Sequence, residues 1–149
     1  MTGIELKSPA FSDHAMIPRQ YASDGENVSP PLTWSGVPGN AEELVLLCED
    51  PDAPAGTFLH WLVTGIDPDS TGVGAGQAPA DGRAWVNGFG KRGWGGPLPP
   101  AGDPAHRYFF RLYALAQPMD LPVRPSSTEV HDAARTELAS GVLVGTFAR

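Results

Sequence analysis

The chain has 149 residues, 41% of them hydrophobic, and a formal net charge of −7. Its length and apolar fraction suit one globular domain with a single core, spanning residues 1–149. The acidic balance argues against a nucleic-acid backbone as partner, so any site for an anion must be local.

Glycine and proline are abundant, with 18 and 16 residues, and they lie between short apolar runs without a period. This punctuation predicts many short elements and a mainly β fold. Residues 1–7 lack the charged-then-apolar pattern of a secretion signal, and no apolar run approaches the roughly 18 residues of a membrane span. The sequence therefore predicts a cytoplasmic protein.

Three strands are predicted in the first third of the chain. Residues 4–7 alternate weakly, as in an edge strand, and residues 32–34 form a short strand. Residues 43–49 are a continuous apolar run of strand length, which predicts burial on both faces. Cys48 lies in this run, so we expect an inert buried thiol; the alternative is a catalytic nucleophile.

The next strand is predicted over residues 60–66, followed by a long loop over 67–82 and a brief strand over 84–86. A period of two divides the side chains of residues 60–66 between the two faces of a sheet. One face then carries His60, Leu62, Thr64 and Ile66, and the other carries Trp61 and Val63.

Residues 107–115 form the clearest strand pattern in the chain. Alternation places His106, Tyr108, Phe110 and Leu112 on one face and Phe109, Arg111 and Tyr113 on the other. His106 and Tyr108 are therefore expected side by side at the beginning of this strand.

A single helix is predicted near the C-terminus. Ser126 and Glu129 have the spacing of a capping box, and apolar residues then recur at helical intervals as far as Leu138. We expect the helix to end at Ser140 and Gly141, and a last strand over residues 142–147.

Some segments need to be tested against known functional motifs, but they lack the context or the spacing that those motifs require. Residues 88–93 match G-x-G-x-x-G, but the glycine- and proline-rich stretch that follows does not open a helix, which argues against a dinucleotide site. No G-x-S-x-G elbow is present, and residues 50–52 lack the ligand spacing of a calcium loop. His14 and His131 stand outside any motif and are expected to be surface or capping histidines.

His60 and His106 differ from the other histidines because each stands where a turn-rich loop meets a strand. One interpretation is a pair of hydrogen-bonded core histidines. Another is a shared cavity with Asp50 or Asp52, Tyr108 and the amides of Gly95 or Gly96, in which a carboxylate favours imidazolium and the donors bind an oxyanion. The same groups also allow a zinc site or acid–base catalysis.

Segments spread over nearly the whole chain carry a resemblance to a known family: NVSPPLTW at 27–34, DPDAP at 50–54 with HW at 60–61, GWGGPLPP at 93–100, HRYFFRLYAL at 106–115 and LVGTF at 143–147. With these motifs the chain resembles the phosphatidylethanolamine-binding proteins, also called Raf-kinase-inhibitor-like proteins. The resemblance implies a β-sandwich of antiparallel sheets with a small anion pocket at one end. Carried over by position, the pocket comprises Asp50, Asp52, Pro54, His60, Gly96, Pro97, His106 and Tyr108.

The short spacing between Pro54 and His60 and the close of the chain soon after its last strand resemble the compact bacterial and archaeal branch. Both depart from the animal members, which puts the kinase-regulating roles of eukaryotic relatives in doubt. Trp94 and Leu98 stand where that branch often has tyrosine and cysteine, and we expect them to tune the pocket wall.

The function predicted is binding of a small phosphate- or carboxylate-bearing ligand without turnover, with no cofactor and no metal. His60 and His106 donate to the anion, Tyr108 adds a hydroxyl, and the Gly96 region adds an amide. Asp50 orients an imidazole or meets an amine of the ligand, and Asp52 anchors the turn. Alternatives are a hydrolase using His60, His106 and Asp50, or a surface that inhibits a kinase or protease. Exposed tryptophans among Trp34, Trp85 and Trp94 suggest a homodimer contact.

Overall fold

Two antiparallel sheets make up the computed structural model, which describes residues 3–149. Five strands form the larger sheet in the order β6-β4-β3-β7-β8, and three form the smaller in the order β1-β2-β5. The strands are β1 (Glu5–Lys7), β2 (Leu32–Ser35), β3 (Glu43–Asp50), β4 (Phe58–Ile66), β5 (Gly72–Val73), β6 (Arg83–Ala84), β7 (His106–Leu115) and β8 (Ala139–Phe147). A 3-10 turn (Arg19–Tyr21) and a short helix, α1 (Ser127–Ala133), complete the described elements.

The mainly β sandwich predicted from the sequence is confirmed. The prediction that residues 1–7 lack a secretion signal includes Met1 and Thr2, and these two residues lie outside the described residues. Across residues 3–149 no helix is long and apolar enough to cross a bilayer.

Apolar side chains fill the space between the two sheets. The smaller sheet contributes Leu6, Leu32 and Trp34, and the larger contributes alternate residues of its central strands. On β7 these are Tyr108, Phe110, Leu112 and Ala114, which confirms the predicted face of that strand. A second cluster covers the opposite face of the larger sheet, where Val130 and Ala134 of the helical segment pack on Val45 and Leu47.

Strand β3 lies between these two clusters, and all eight of its residues are buried. The predicted burial on both faces is therefore confirmed. Cys48 belongs to this strand and is completely buried. Burial raises the pKa of its thiol, and the negative charges of Glu49 and Asp50 raise that pKa further, so the thiolate is disfavoured.

Two register shifts on β4 overturn part of the predicted alternation. Cys48 pairs with Trp61 and Glu49 with Leu59, so His60 is an extra residue without a partner on β3. A second shift lies between the pairs formed by Leu44 and Leu46. Such an extra residue bends the strand and re-aims its side chains.

The consequence is that His60 and Ile66 lie on the face opposite to the one predicted. Ile66 joins Trp61 in the core between the sheets, and the ring of His60 packs edge-on against Tyr108 with centroids 5.2 Å apart. Leu62 keeps its predicted face, beneath α1.

The predicted capping box of α1 is confirmed, because Ser126 accepts from the Glu129 amide and Glu129 accepts from the Ser126 amide. The predicted C-terminal end is wrong. The helix stops at Ala133, and Ala139 already pairs with Ala114 as the first residue of β8. From Ala139 onwards the backbone forms hydrogen bonds with the long strand β7. This pairing outweighs the weak helical periodicity of the sequence.

Two smaller expectations are also wrong. The loop over residues 67–82 contains β5, which pairs with β2. Trp34 and Trp85 are buried, so neither is available for the dimer contact suggested by exposed tryptophans. Trp94 is half-buried against the core and donates its indole N–H to the Tyr21 carbonyl.

Candidate functional site

A cavity of about 160 Å³ opens at the end of the sandwich where β3 ends and β4 and β7 begin. Its size is below the roughly 300–1,000 Å³ of sites for drug-sized ligands, so it suits a small head group. Its lining consists of Asp50, Ala53, Pro54, Phe58, His60, Phe89, Leu98, Pro99, Pro100, His106 and Tyr108.

His106 and Asp50 form a buried pair at the floor of this cavity. The His106 Nδ1 proton is donated to Asp50 Oδ2 over 2.7 Å, and both side chains are almost completely buried. Burial lowers the pKa of His106, but the hydrogen bonds and negative charges of Asp50 and Asp103 outweigh it and leave that pKa above its ordinary value. The pair therefore favours an imidazolium whose Nε2 proton is not used by Asp50.

His60 is held in a different protonation state. Its Nδ1 lies 2.7 Å from the Gly95 carbonyl oxygen, and a carbonyl accepts only, so Nδ1 carries the proton. Burial lowers the pKa of His60 and outweighs the opposing influence of the Gly95 carbonyl and of Asp50. In the neutral ring Nε2 is then an acceptor, which differs from the expectation that both histidines donate.

Tyr108 lies between these two rings with its hydroxyl unsatisfied. The side chain is fully buried, and its oxygen has no hydrogen-bond partner within residues 3–149. Burial raises the pKa of the phenol, and the charge of Asp50 raises it further, so the group stays an O–H. A buried hydroxyl without a partner is costly, and Tyr108 belongs to the lining of the cavity.

Asp52 lies outside the cavity lining and holds the turn after β3. Its amide donates to Asp50 Oδ1 over 2.8 Å. Its carboxylate accepts from the backbone amide and the guanidinium of Arg107 over 2.8 to 2.9 Å. Asp50 is therefore fixed through both oxygens, one by the turn and one by His106.

The Asp52–Arg107 contact predicts acid-sensitive stability. The Arg107 guanidinium lowers the pKa of Asp52 from 3.8 to about 2, so the contact stabilises the fold above pH 3.8 and is lost as pH falls from about 4 to 2. Asp52→Asn is expected to flatten this part of the stability curve, measured by urea unfolding at pH 5, 4, 3 and 2. Asp69→Asn, at an exposed aspartate, removes the same charge and should follow the wild type. Parallel curves for Asp52→Asn and wild type would contradict this role.

Gly96 and Pro97 lie beside the cavity but not in its lining. The Gly96 amide donates to the Asn27 side chain over 2.8 Å, and the Gly95 amide donates to the His60 carbonyl over 2.9 Å. Both amides that the sequence analysis assigned to an anion are thus already used. Their hydrogen bonds instead fix the loop that carries the Gly95 carbonyl.

The wall of the cavity is apolar. Phe58 and Phe89 stack edge-on with centroids 4.7 Å apart, and both rings contact His60. Phe89 and Leu98 are each about 40% exposed at the rim. Phe89 comes from residues 88–93, where the Asn87 carboxamide accepts from the amides of Phe89 and Lys91 and so closes a tight turn.

Asp103 is a site residue that the sequence analysis missed. Its Oδ2 lies 3.5 Å from Nε2 of His106, and its side chain is 44% exposed. The i, i+3 spacing to His106 was the only sequence signal, and it means little in a proline-rich loop. Asp103 places an anionic oxygen near the nitrogen expected to meet a ligand.

His131 is also more than the surface or capping residue predicted. Its Nε2 lies 2.8 Å from Glu49 Oε2, and its Nδ1 lies 2.9 Å from the Tyr113 hydroxyl. Burial raises the pKa of Glu49, but His131 and Arg111 outweigh it and leave that pKa below its ordinary value. The contact joins α1 to the sheet face opposite the cavity. His14 is exposed beside Asp13, as predicted.

Within residues 3–149 no group of three or more His, Cys, Asp or Glu side chains is placed to hold a metal ion. Asp50 uses both carboxylate oxygens, and His60 uses its Nδ1, in hydrogen bonds to the protein.

Comparison with known proteins places the chain in a family. Residues 7–148 match the family model described as phosphatidylethanolamine-binding protein. A UPF0098 protein of Methanothermobacter thermautotrophicus is 45% identical over 98% of this chain and 99% of its own length. The putative lipoprotein LppC of Mycobacterium tuberculosis is 48% identical over 97% of this chain and 72% of its own length.

Solved structures agree with this match. A putative phosphatidylethanolamine-binding protein homolog of Chlamydia trachomatis, CT736, superposes with a TM-score of 0.87 at 33% identity, covering 100% of this chain and 99% of its own. YbcL of E. coli superposes with a TM-score of 0.89 at 25% identity, covering 99% of both chains. The fold is therefore the β-sandwich of a phosphatidylethanolamine-binding-protein homolog. This chain belongs to the phosphatidylethanolamine-binding protein family.

Proposed function

We propose that the cavity binds a small oxyanion carried on a phosphate- or carboxylate-bearing ligand, and that it does so without turnover. The observation that carries the proposal is the buried Asp50–His106 pair, which favours an imidazolium in a cavity that is also lined by Tyr108, whose hydroxyl is unsatisfied. Charge-assisted hydrogen bonds of this kind are the strong ones. Asp103, whose Oδ2 lies 3.5 Å from Nε2 and whose side chain is 44% exposed, would have to turn towards solvent when an anion binds at that nitrogen.

The lining also supports binding over catalysis. It contains no serine, threonine or cysteine, and its one hydroxyl is the phenol of Tyr108, whose pKa is raised by burial so that it stays protonated and a weak nucleophile. The apolar rim suits the organic part of a ligand, and the phosphate site of a phosphorylated side chain or of a head group has the same chemistry. Regulation of a kinase or protease, a homodimer and a cytoplasmic location stay predictions.

The proposal is tested by titrating the ¹⁵N-labelled protein with inorganic phosphate at pH 6 in a phosphate-free starting buffer. We expect saturable shifts at the amides of Phe89, Leu98 and His106, which surround the cavity. The amide of His14, which lies on a different surface, serves as the internal control and should not move. Absence of saturable shifts, or shifts of equal size at His14, would contradict the proposal.

A further inference from the structure

The two histidines of the cavity present opposite hydrogen-bonding character to a ligand. His106 offers a proton at Nε2, because Asp50 accepts the proton at Nδ1. His60 offers a lone pair at Nε2, because the Gly95 carbonyl accepts the proton at Nδ1. The Tyr108 hydroxyl both donates and accepts, and the phenol ring of Tyr108 packs edge-on against the His60 ring. A ligand that satisfies all three groups must accept at one oxygen and donate at another.

Resting on the proposed function, we infer that the cavity selects a singly protonated phosphate monoester over fully ionised oxyanions such as sulfate monoesters and phosphodiesters. A monoester monoanion has oxygens that accept from His106 and Tyr108, and a P–OH that donates to His60 Nε2. A sulfate monoester or a phosphodiester has the same single charge but no proton, so its oxygen would meet the His60 lone pair.

The surroundings of His60 disfavour the alternative, in which its ring takes up a second proton and becomes an imidazolium. It is 3% exposed, and its ring packs between the aromatic rings of Phe58, Phe89 and Tyr108. The charged groups that act on it are Asp50, which is already neutralised by His106, and His106 itself, whose positive charge repels a second cation. An imidazolium at His60 is therefore disfavoured by both burial and charge.

The cavity size and rim agree with a monoester of a small or apolar group. About 160 Å³ accommodates a head group, and the partly exposed Phe89 and Leu98 lie where the ester substituent would leave the cavity. A phosphodiester would replace the P–OH by a second ester oxygen. The cavity then lacks the donor that His60 requires, whichever molecule supplies the diester.

The test is calorimetric titration at pH 5.5 with methyl phosphate, methyl sulfate and dimethyl phosphate. This pH lies below the second phosphate pKa of about 6, so methyl phosphate is mostly the monoanion. We expect methyl phosphate to bind roughly ten-fold or more tightly than the other two, because each leaves a buried acceptor unsatisfied. Dimethyl phosphate represents the diester linkage of a phospholipid.

A variant assigns this preference to His60. His60→Gln replaces the imidazole by an amide that can turn either its N–H₂ or its oxygen towards the ligand, so the preference should fall below about three-fold. His14→Gln, at an exposed histidine, should keep the wild-type preference. If His60→Gln does not fold, the affinities of the wild-type protein for the three ligands still test the inference.

The outcomes separate this inference from the proposed function. Equal binding of methyl phosphate and methyl sulfate by the wild type would overturn the inference and leave oxyanion binding intact. A preference that persists unchanged in folded His60→Gln would overturn the role of His60. No binding of any of the three would overturn the proposed function and the inference with it.

Discussion

Replacing His106 with glutamine is expected to lower the affinity for inorganic phosphate roughly 10- to 100-fold at pH 6. The imidazolium is held by Asp50 and offers a charge-assisted hydrogen bond, which contributes about 1.5–3 kcal/mol. Glutamine lacks the positive charge of the imidazolium, but its side-chain amide can still donate a hydrogen bond to the Asp50 carboxylate. Affinity is measured by calorimetry, and folding by thermal unfolding in a phosphate-free buffer.

The matched control is His14→Gln, which makes the same chemical change at an exposed residue and should leave affinity unchanged. Retention of wild-type affinity in folded His106→Gln would show that the charge on His106 does not bind the anion. Loss of folding in His106→Gln would instead favour the interpretation of a core histidine that braces the loops.

Replacing Tyr108 with phenylalanine is expected to raise the free energy of unfolding by about 1 kcal/mol while weakening phosphate binding several-fold. The buried hydroxyl has no partner in the ligand-free protein over residues 3–149, so its removal relieves a desolvation cost of roughly 1–3 kcal/mol. Tyr108 also belongs to the cavity lining, so we expect the stabilised variant to have one donor fewer for an anion. Urea unfolding and calorimetry measure the two effects separately.

Tyr113→Phe provides an internal contrast, because the Tyr113 hydroxyl is hydrogen-bonded to Nδ1 of His131 over 2.9 Å. The same loss of one oxygen should there lower stability by about 1 kcal/mol and leave phosphate binding unchanged. Equal destabilisation of the two variants would mean that the Tyr108 hydroxyl has a hydrogen-bond partner in the ligand-free protein, and that its burial carries no desolvation cost.

Much of the scaffold could be predicted because local pattern and tertiary contact agree. The apolar run of β3 predicts burial on both faces, and the alternation of β7 places His106 and Tyr108 side by side. The capping box of α1 depends only on Ser126 and Glu129, which are close in sequence. These features need no knowledge of distant partners.

The features that failed depend on partners distant in sequence. The extra residue at His60 exists only relative to the register of β3, so simple alternation assigned the wrong face. The early end of α1 follows from the pairing of Ala139 with Ala114. Alternation within one strand does not reveal either contact.

The candidate site shows the same division. The motifs predict which residue types line the cavity. The protonation of its histidines depends instead on single atoms that loops place beside them. The Gly95 carbonyl makes His60 an acceptor, and Asn27 occupies the Gly96 amide that the sequence suggested for an anion. Asp103 joins His106 because the loop before β7 places its Oδ2 3.5 Å from Nε2 of His106.

The central claim is that one histidine of the cavity is cationic, the other is a neutral acceptor, and an oxyanion binds to both. Imidazole ¹⁵N spectra recorded from pH 5 to 8, with and without methyl phosphate, test this most directly. We predict a midpoint above 6.5 for His106 and below 6.5 for His60, with the His60 proton on Nδ1. Methyl phosphate should shift Nε2 of both rings and leave His14 unchanged. A His60 that is protonated on both nitrogens at neutral pH, or a ligand that shifts neither ring, would contradict the account.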